Sequence, residues 1–256
     1  MLSLLLVSVN GIGAVSPGDG FISLGTSGVS FVVTDRFRPN PASAVHAFCH
    51  AVPNRWHQMS VMLSAASCLS WVTKLVHAEN EGALLAEANA LSVDERMAAP
   101  IFLPYLSGER TPHNDAQAQG VFFGLNHDTS TAHLAYSVIE GVAFGTMDGL
   151  AALQSAGTTV GRLALVGGGS RSAEWAQILA SILDTEIVTL EGSETGGALG
   201  AARLGWLAAG GQEAQVCRAP AVRERFLPNA AQRERLLPRY QRFTSLYPRL
   251  RDLFAR

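Results

Sequence analysis

The chain has 256 residues, enough for one large domain or two small ones with a sizeable core. Hydrophobic residues are 48% and charged residues 16%, which excludes the disordered class, and a net charge of −2 speaks against a protein built around DNA or RNA. Cys49, Cys68 and Cys217 are an odd, sparse set that fits a reducing cytoplasm, and no apolar run reaches the roughly 20 residues that span a bilayer.

Residues 1–9 are apolar with no basic residue ahead of them, so a secretory signal is not expected. Residues 21–24 and 29–33 are β-branched and aromatic runs joined by Gly-Thr-Ser-Gly, which predicts a tight hairpin. Residues 40–56 read as loop or short strand. Residues 56–77 carry apolar side chains at helical spacing without Gly or Pro, and predict one long buried helix. A second helix is expected over 82–90, and Ser92 with Glu95 forms a capping box for a third that Pro100 stops. Residues 101–106 predict a short strand, 120–125 strand or turn, and 129–155 the longest helix. Strand 163–166, a glycine turn, helix 172–183, strand 186–190 and helix 196–209 follow, the last ended by Gly210-Gly211. This alternation means α/β.

Charge is uneven along the chain. Residues 218–256 hold ten arginines against Glu224, Glu234 and Asp252, a balance of +7 that leaves −9 for the rest. Leu236, Leu237, Tyr240, Phe243, Leu246, Tyr247, Leu250 and Phe254 recur there at helical spacing, so an amphipathic helix with a solvated basic face is expected, without nucleic acid.

Two glycine motifs suit an anion. Gly25-Thr26-Ser27-Gly28 offers hydroxyls and free backbone N–H groups at a tight turn, although an ordinary hairpin satisfies the same pattern. Gly167-Gly168-Gly169-Ser170 follows a strand and opens a helix, where a phosphate or nucleotide can sit, and it matches neither the P-loop nor the Rossmann spacing. A bare strand–turn–helix remains the alternative. Gly11 to Ser16 only imitates half a dinucleotide motif. His46, Cys49, His50 and His57 have mixed metal-ligand chemistry but no second cysteine pair, so a packed loop is expected and no metal. Glu109, Arg110, His113 and Asp115 form one polar loop, either a salt-bridged structural element or a substrate-side contact, the former being the commoner.

In order, SLGTSG, LPYLSGERTPH, GVFFGLNHDTSTAHLAYSVIEGVAFG, VGGGSRSAEWAQILASILDTEI and ETGGALGAARLG resemble the C-terminal half of the FGGY carbohydrate kinases. Residues 43–75 are most similar to the xylulokinase branch. The resemblance covers 11–256 and leaves 1–10 as a divergent start. It implies a ribonuclease-H-like α/β domain of the actin and hexokinase type, with a mixed sheet flanked by helices, and only the second of that family's two domains. It further implies that Gly25, Thr26 and Ser27 meet the ATP phosphates and that Gly168, Gly169 and Ser170 border the adenosine. The sugar and Mg²⁺ depend largely on the first domain, so no metal ligand is expected in this chain. The family's base is an Asp in a GGGDNAA-like segment before the hairpin. Laid over this chain without gaps, that position is Leu4, so no catalytic residue is expected either.

The expectation is therefore the ATP-facing half of a cytoplasmic sugar kinase, converting ATP and D-xylulose to ADP and D-xylulose 5-phosphate. Another ketose or polyol is the alternative substrate. The half is expected to be inactive without a separately encoded N-terminal domain, and the reading leaves room for a homodimer. The divergent start suits a truncated or frame-disrupted product or a misplaced start. The competing reading is a non-catalytic relic or nucleotide-binding module.

Overall fold

The hairpin opens the fold. In a computed structural model, which describes residues 11–192 and 196–254, β1 (Gly20–Leu24) pairs antiparallel with β2 (Gly28–Thr34). Next come β3 (His46–Cys49), β4 (Trp56–Met62), α1 (Ala66–Leu75), α2 (Glu81–Ala90) and α3 (Val93–Ala98). β5 (Ile101–Leu103) and β6 (Val121–Phe123) form a small separate sheet. The second half contains α4 (Thr131–Ser155), β7 (Leu163–Val166), α5 (Ala173–Leu183), β8 (Ile187–Leu190), α6 (Gly196–Ala208), α7 (Glu213–Val216), β9 (Val222–Phe226) and α8 (Ala230–Phe254).

Seven strands make the main sheet, ordered β3-β4-β2-β1-β7-β8-β9. β1, β7 and β8 run parallel and their neighbours antiparallel, so the sheet is mixed. One face packs on α4, with α1, α5 and α8 completing that core. On the other, Phe21, Phe31, Met59 and Val188 form a second cluster with Ile12 and Ala14. α4 lies close on the strands because Gly141, Gly145 and Gly149 recur every four residues along one of its faces. A Cβ would stand 2.5 Å from Ser60 Oγ at Gly149 and 2.4 Å from the Phe102 carbonyl oxygen at Gly141.

The expected helix over 56–77 is a strand followed by a shorter helix. β4 is buried from His57 to Met62 between β2 and β3, so it shows no apolar–polar alternation. A strand covered on both faces cannot be told from a buried helix by periodicity alone. β9 went unread for the opposite reason: at the sheet edge, three of its five residues are exposed charges. The capping box at Ser92 and Glu95 is present, and Gly210 turns with φ +92° after α6. α8 has the expected apolar face but its basic face is not all solvated. Arg239 is buried and its guanidinium donates to both Glu140 carboxylate oxygens at 2.7 Å.

Candidate functional site

Parallel pairing of β1 with β7 sets Ser23 beside Val166, so both strands leave the sheet at the same edge. The turns that follow, Gly25–Ser27 and Gly167–Arg171, touch. Gly167 has φ +87°, where side chains are strained, and a Cβ there would stand 2.7 Å from the Leu24 carbonyl oxygen. One on Gly169 would stand 2.6 Å from Leu24 Cβ. Gly168, by contrast, faces open space.

The first turn is tied down through its carbonyls. Ala66 N–H donates to Gly25 O at 2.8 Å, Ala65 N–H to Thr26 O at 2.9 Å, and Ser67 Oγ to Thr26 O at 2.7 Å. Thr26 is left exposed. The second turn is closed by Ser170, whose hydroxyl donates to Gly167 O at 2.7 Å, and it leads into α5, whose N-cap Ser172 accepts from Trp175 N–H. A cleft of about 640 Å³ lies between α1 and α2 on one side and Gly168, Gly169 and the start of α5 on the other. Buried Trp175 lines it and its Nε1 has no hydrogen-bond partner among the described residues. A second cleft of about 500 Å³ lies across the turn, lined by Ser170, Thr189, Arg171 and Arg223.

Residues 20–209 match the profile of the FGGY family of carbohydrate kinases, C-terminal domain. The chain belongs to that family. It is 45% identical over 247 residues to a xylulose kinase of Escherichia coli strain K12, covering 96% of this chain and 51% of that protein. The crystal structure of a xyloylose kinase from Brucella ovis superposes with a TM-score of 0.91 at 46% identity, over 97% of this chain and 51% of that one. A xylulose kinase from Rhodospirillum rubrum gives 0.86 at 27% identity, over 98% and 51%. The FGGY chain thus spans about half the length of the relatives it matches, and its mixed, helix-flanked sheet is the actin- and hexokinase-type fold that its sequence resembles.

All six residues singled out for nucleotide lie in the two abutting turns of the FGGY chain. Gly168 and Gly169 line the larger cleft and Ser170 the smaller, whereas Gly25, Thr26 and Ser27 line neither and sit at the junction with α1. Ser70, Glu81 and Asn89 of the larger cleft were not legible, since they come from helices whose packing decides what faces the turn. Ser172, which opens the helix expected over 172–183, is the N-cap of α5. Leu4 lies outside the described residues.

Among the described residues the polar loop is held by hydrogen bonds and not by an ion pair. Glu109 is buried, its Oε1 accepting from Leu63 N–H at 3.1 Å and Arg110 N–H at 2.7 Å, and burial pushes its carboxyl up to about 8. His113 stacks on Tyr247 at 3.7 Å, and Asp115 accepts the Tyr247 hydroxyl at 2.8 Å. The loop therefore anchors α8. His57 lies fully buried against Phe31, ring centroids 4.5 Å apart, with His50 at 6.3 Å. Cys49 is exposed on the edge strand, and no group of three or more His, Cys, Asp or Glu positioned for a metal occurs among the described residues.

Proposed function

We propose that this chain is the ATP-facing half, residues 11–256, of a cytoplasmic sugar kinase that phosphorylates D-xylulose. The single observation carrying this reading is the contact of the two glycine turns at the ends of parallel strands, beside a capped helix N-terminus and a 640 Å³ cleft. Backbone N–H groups at such a terminus attract phosphate, and a cleft of this size suits a nucleoside. The relatives' printed name, xylulose kinase, supplies the sugar. Among the described residues no helix is long and apolar enough to cross a membrane.

In this reading Gly25, Thr26 and Ser27 hold the phosphates, with the exposed Thr26 hydroxyl donating to a phosphate oxygen. Gly168, Gly169 and Ser170 border the adenosine. Phosphoryl transfer needs positioning and charge neutralisation more than covalent help. Mg²⁺ supplies the neutralisation when bound. The turn residues are hydroxyls and backbone without a carboxylate, so they fit the phosphates and not the cation, whose site, as the resemblance implies, would lie mostly in the other domain. The second reading, a nucleotide-binding module that does not turn over, is favoured by one observation. Asp19, the first acidic residue of the chain, accepts from Ser16 N–H in a local turn and precedes β1, while the phosphate turn follows it. At about 3.3 Å per residue the two are roughly 20 Å apart.

ADP titration of the 256-residue chain by calorimetry tests the site. Gly168→Ala meets no protein atom within 4 Å, so it should leave folding intact. It should nevertheless weaken ADP by placing a methyl group in the space given to the adenosine, and Thr26→Ala should weaken it by about tenfold for one lost charge-assisted hydrogen bond. Tight binding indifferent to both changes would refute the placement.

A further inference from the structure

The SGERTPH loop has no role in the reading above, yet it is hydrogen-bonded to the segment that holds the phosphate turn. Thr111 N–H donates to Val61 O at 3.0 Å, and its hydroxyl accepts from Val61 N–H at 3.0 Å and donates to Ala44 O at 3.2 Å. The loop thus extends the end of β4. Two residues earlier Glu109 Oε1 takes the Leu63 N–H, just after β4 ends and three residues before α1 begins. After Ser64, the next two N–H groups, of Ala65 and Ala66, hold Thr26 O and Gly25 O. We propose that Glu109 is a positioning residue for the Gly25–Ser27 turn, acting through the segment from Leu63 to Ala66.

Three observations support this. Glu109 is 2% exposed, and its Oε2 has no hydrogen-bond partner among the described residues, so no ion pair accounts for its burial. A buried carboxyl retained without a counter-charge carries a desolvation penalty that an apolar residue would avoid. Its one productive atom, Oε1, is spent on backbone N–H groups at the point where β4 leaves the sheet. The titratable groups that act on it or feel it are Asp148 of α4, Cys68 of α1 and Tyr105 of the segment after β5, none of them a cation. With its carboxyl pushed up to about 8, Glu109 is protonated at neutral pH, and glutamine is its uncharged counterpart with the same Oε1 acceptor.

The role bears on nucleotide only through the reading above, and the experiment separates the two. Hydrogen–deuterium exchange on the unliganded 256-residue chain at pH 7 compares the wild type with Glu109→Ala and Glu109→Gln. The Ala variant should exchange about tenfold faster in peptides covering residues 25–27 and 63–67, with β7 and β8 unchanged, and the Gln variant should restore protection. Wild-type protection at both peptides in the Ala variant overturns the proposal. So does loss spread evenly through β7 and β8, which marks a general stability role, or failure of Gln to restore. ADP titration of the same proteins addresses the site itself: an unresponsive wild type sinks the nucleotide reading, while the exchange pattern still decides the role of Glu109.

Discussion

His57 shows how a single side chain can be tuned chiefly by burial. It is fully buried in β4, stacked on Phe31, and neither ring nitrogen has a hydrogen-bond partner among the described residues. Desolvation, with the neighbouring His50 adding to it, lowers its pKa to about 4. In the unfolded chain the ring takes up its proton near pH 6.5, whereas in the folded chain it does so only near 4. Stability from this residue is therefore present above 6.5 and is lost as pH falls towards 4, by about 2 kcal/mol between pH 7 and 5. His57→Phe keeps the stacking and removes the titration. Urea unfolding should show the variant at least as stable as wild type at pH 7, with a shallower decline to pH 5. An equally steep decline would place the acid sensitivity elsewhere.

At the scale of elements, a buried ion pair joins α8 to α4. Glu140 is fully buried, and Arg239 also donates to the carbonyls of Met97 and Pro100, so the guanidinium ties α4, the end of α3 and α8 together. Removing one partner of such a pair strands the other charge and costs about 3–5 kcal/mol, whereas replacing both by apolar residues is often near neutral. Arg239→Leu should thus lower the urea midpoint sharply, and Glu140→Leu with Arg239→Leu should recover most of the loss. A single variant within about 1 kcal/mol of wild type would show that the pair does not dock the helix. Neither residue announced this pairing. Arg239 sits in an arginine-rich run that reads as a solvated face, and Glu140 lies 99 residues away from it along the chain.

For the molecule as a whole, the decisive quantity is how much of a kinase the chain contains. It spans about half the length of its relatives, 51% of the E. coli protein. A positioned base contributes roughly 10² to 10⁴-fold to transfer from a hydroxyl, and the resemblance puts that base at Leu4. The 256-residue chain should therefore form no D-xylulose-dependent ADP above background in a coupled assay. A chimera joining it to the N-terminal half of the E. coli relative, with the aspartate-bearing segment restored, should form ADP. Turnover by the chain alone, abolished by Asp19→Ala, would mean that the base had been misplaced.

What the sequence by itself determined are the features carried by local chemistry. The hairpin, the capping box, the glycine turn after β7, the Gly210 terminus and the ordered FGGY motifs are of this kind. Each depends on a few neighbouring residues whose conformational or hydrogen-bonding preferences act alone. Only the tertiary structure decided the rest. It made 56–62 a strand, because burial on both faces erases the alternation that distinguishes strands from helices. It put Glu109 against the backbone at Leu63, beyond the end of β4, and Arg239 in the core, because partners distant in the chain settle where a polar group can be satisfied. And it joined the two glycine turns, since nothing between residues 25 and 168 records that β1 and β7 lie side by side.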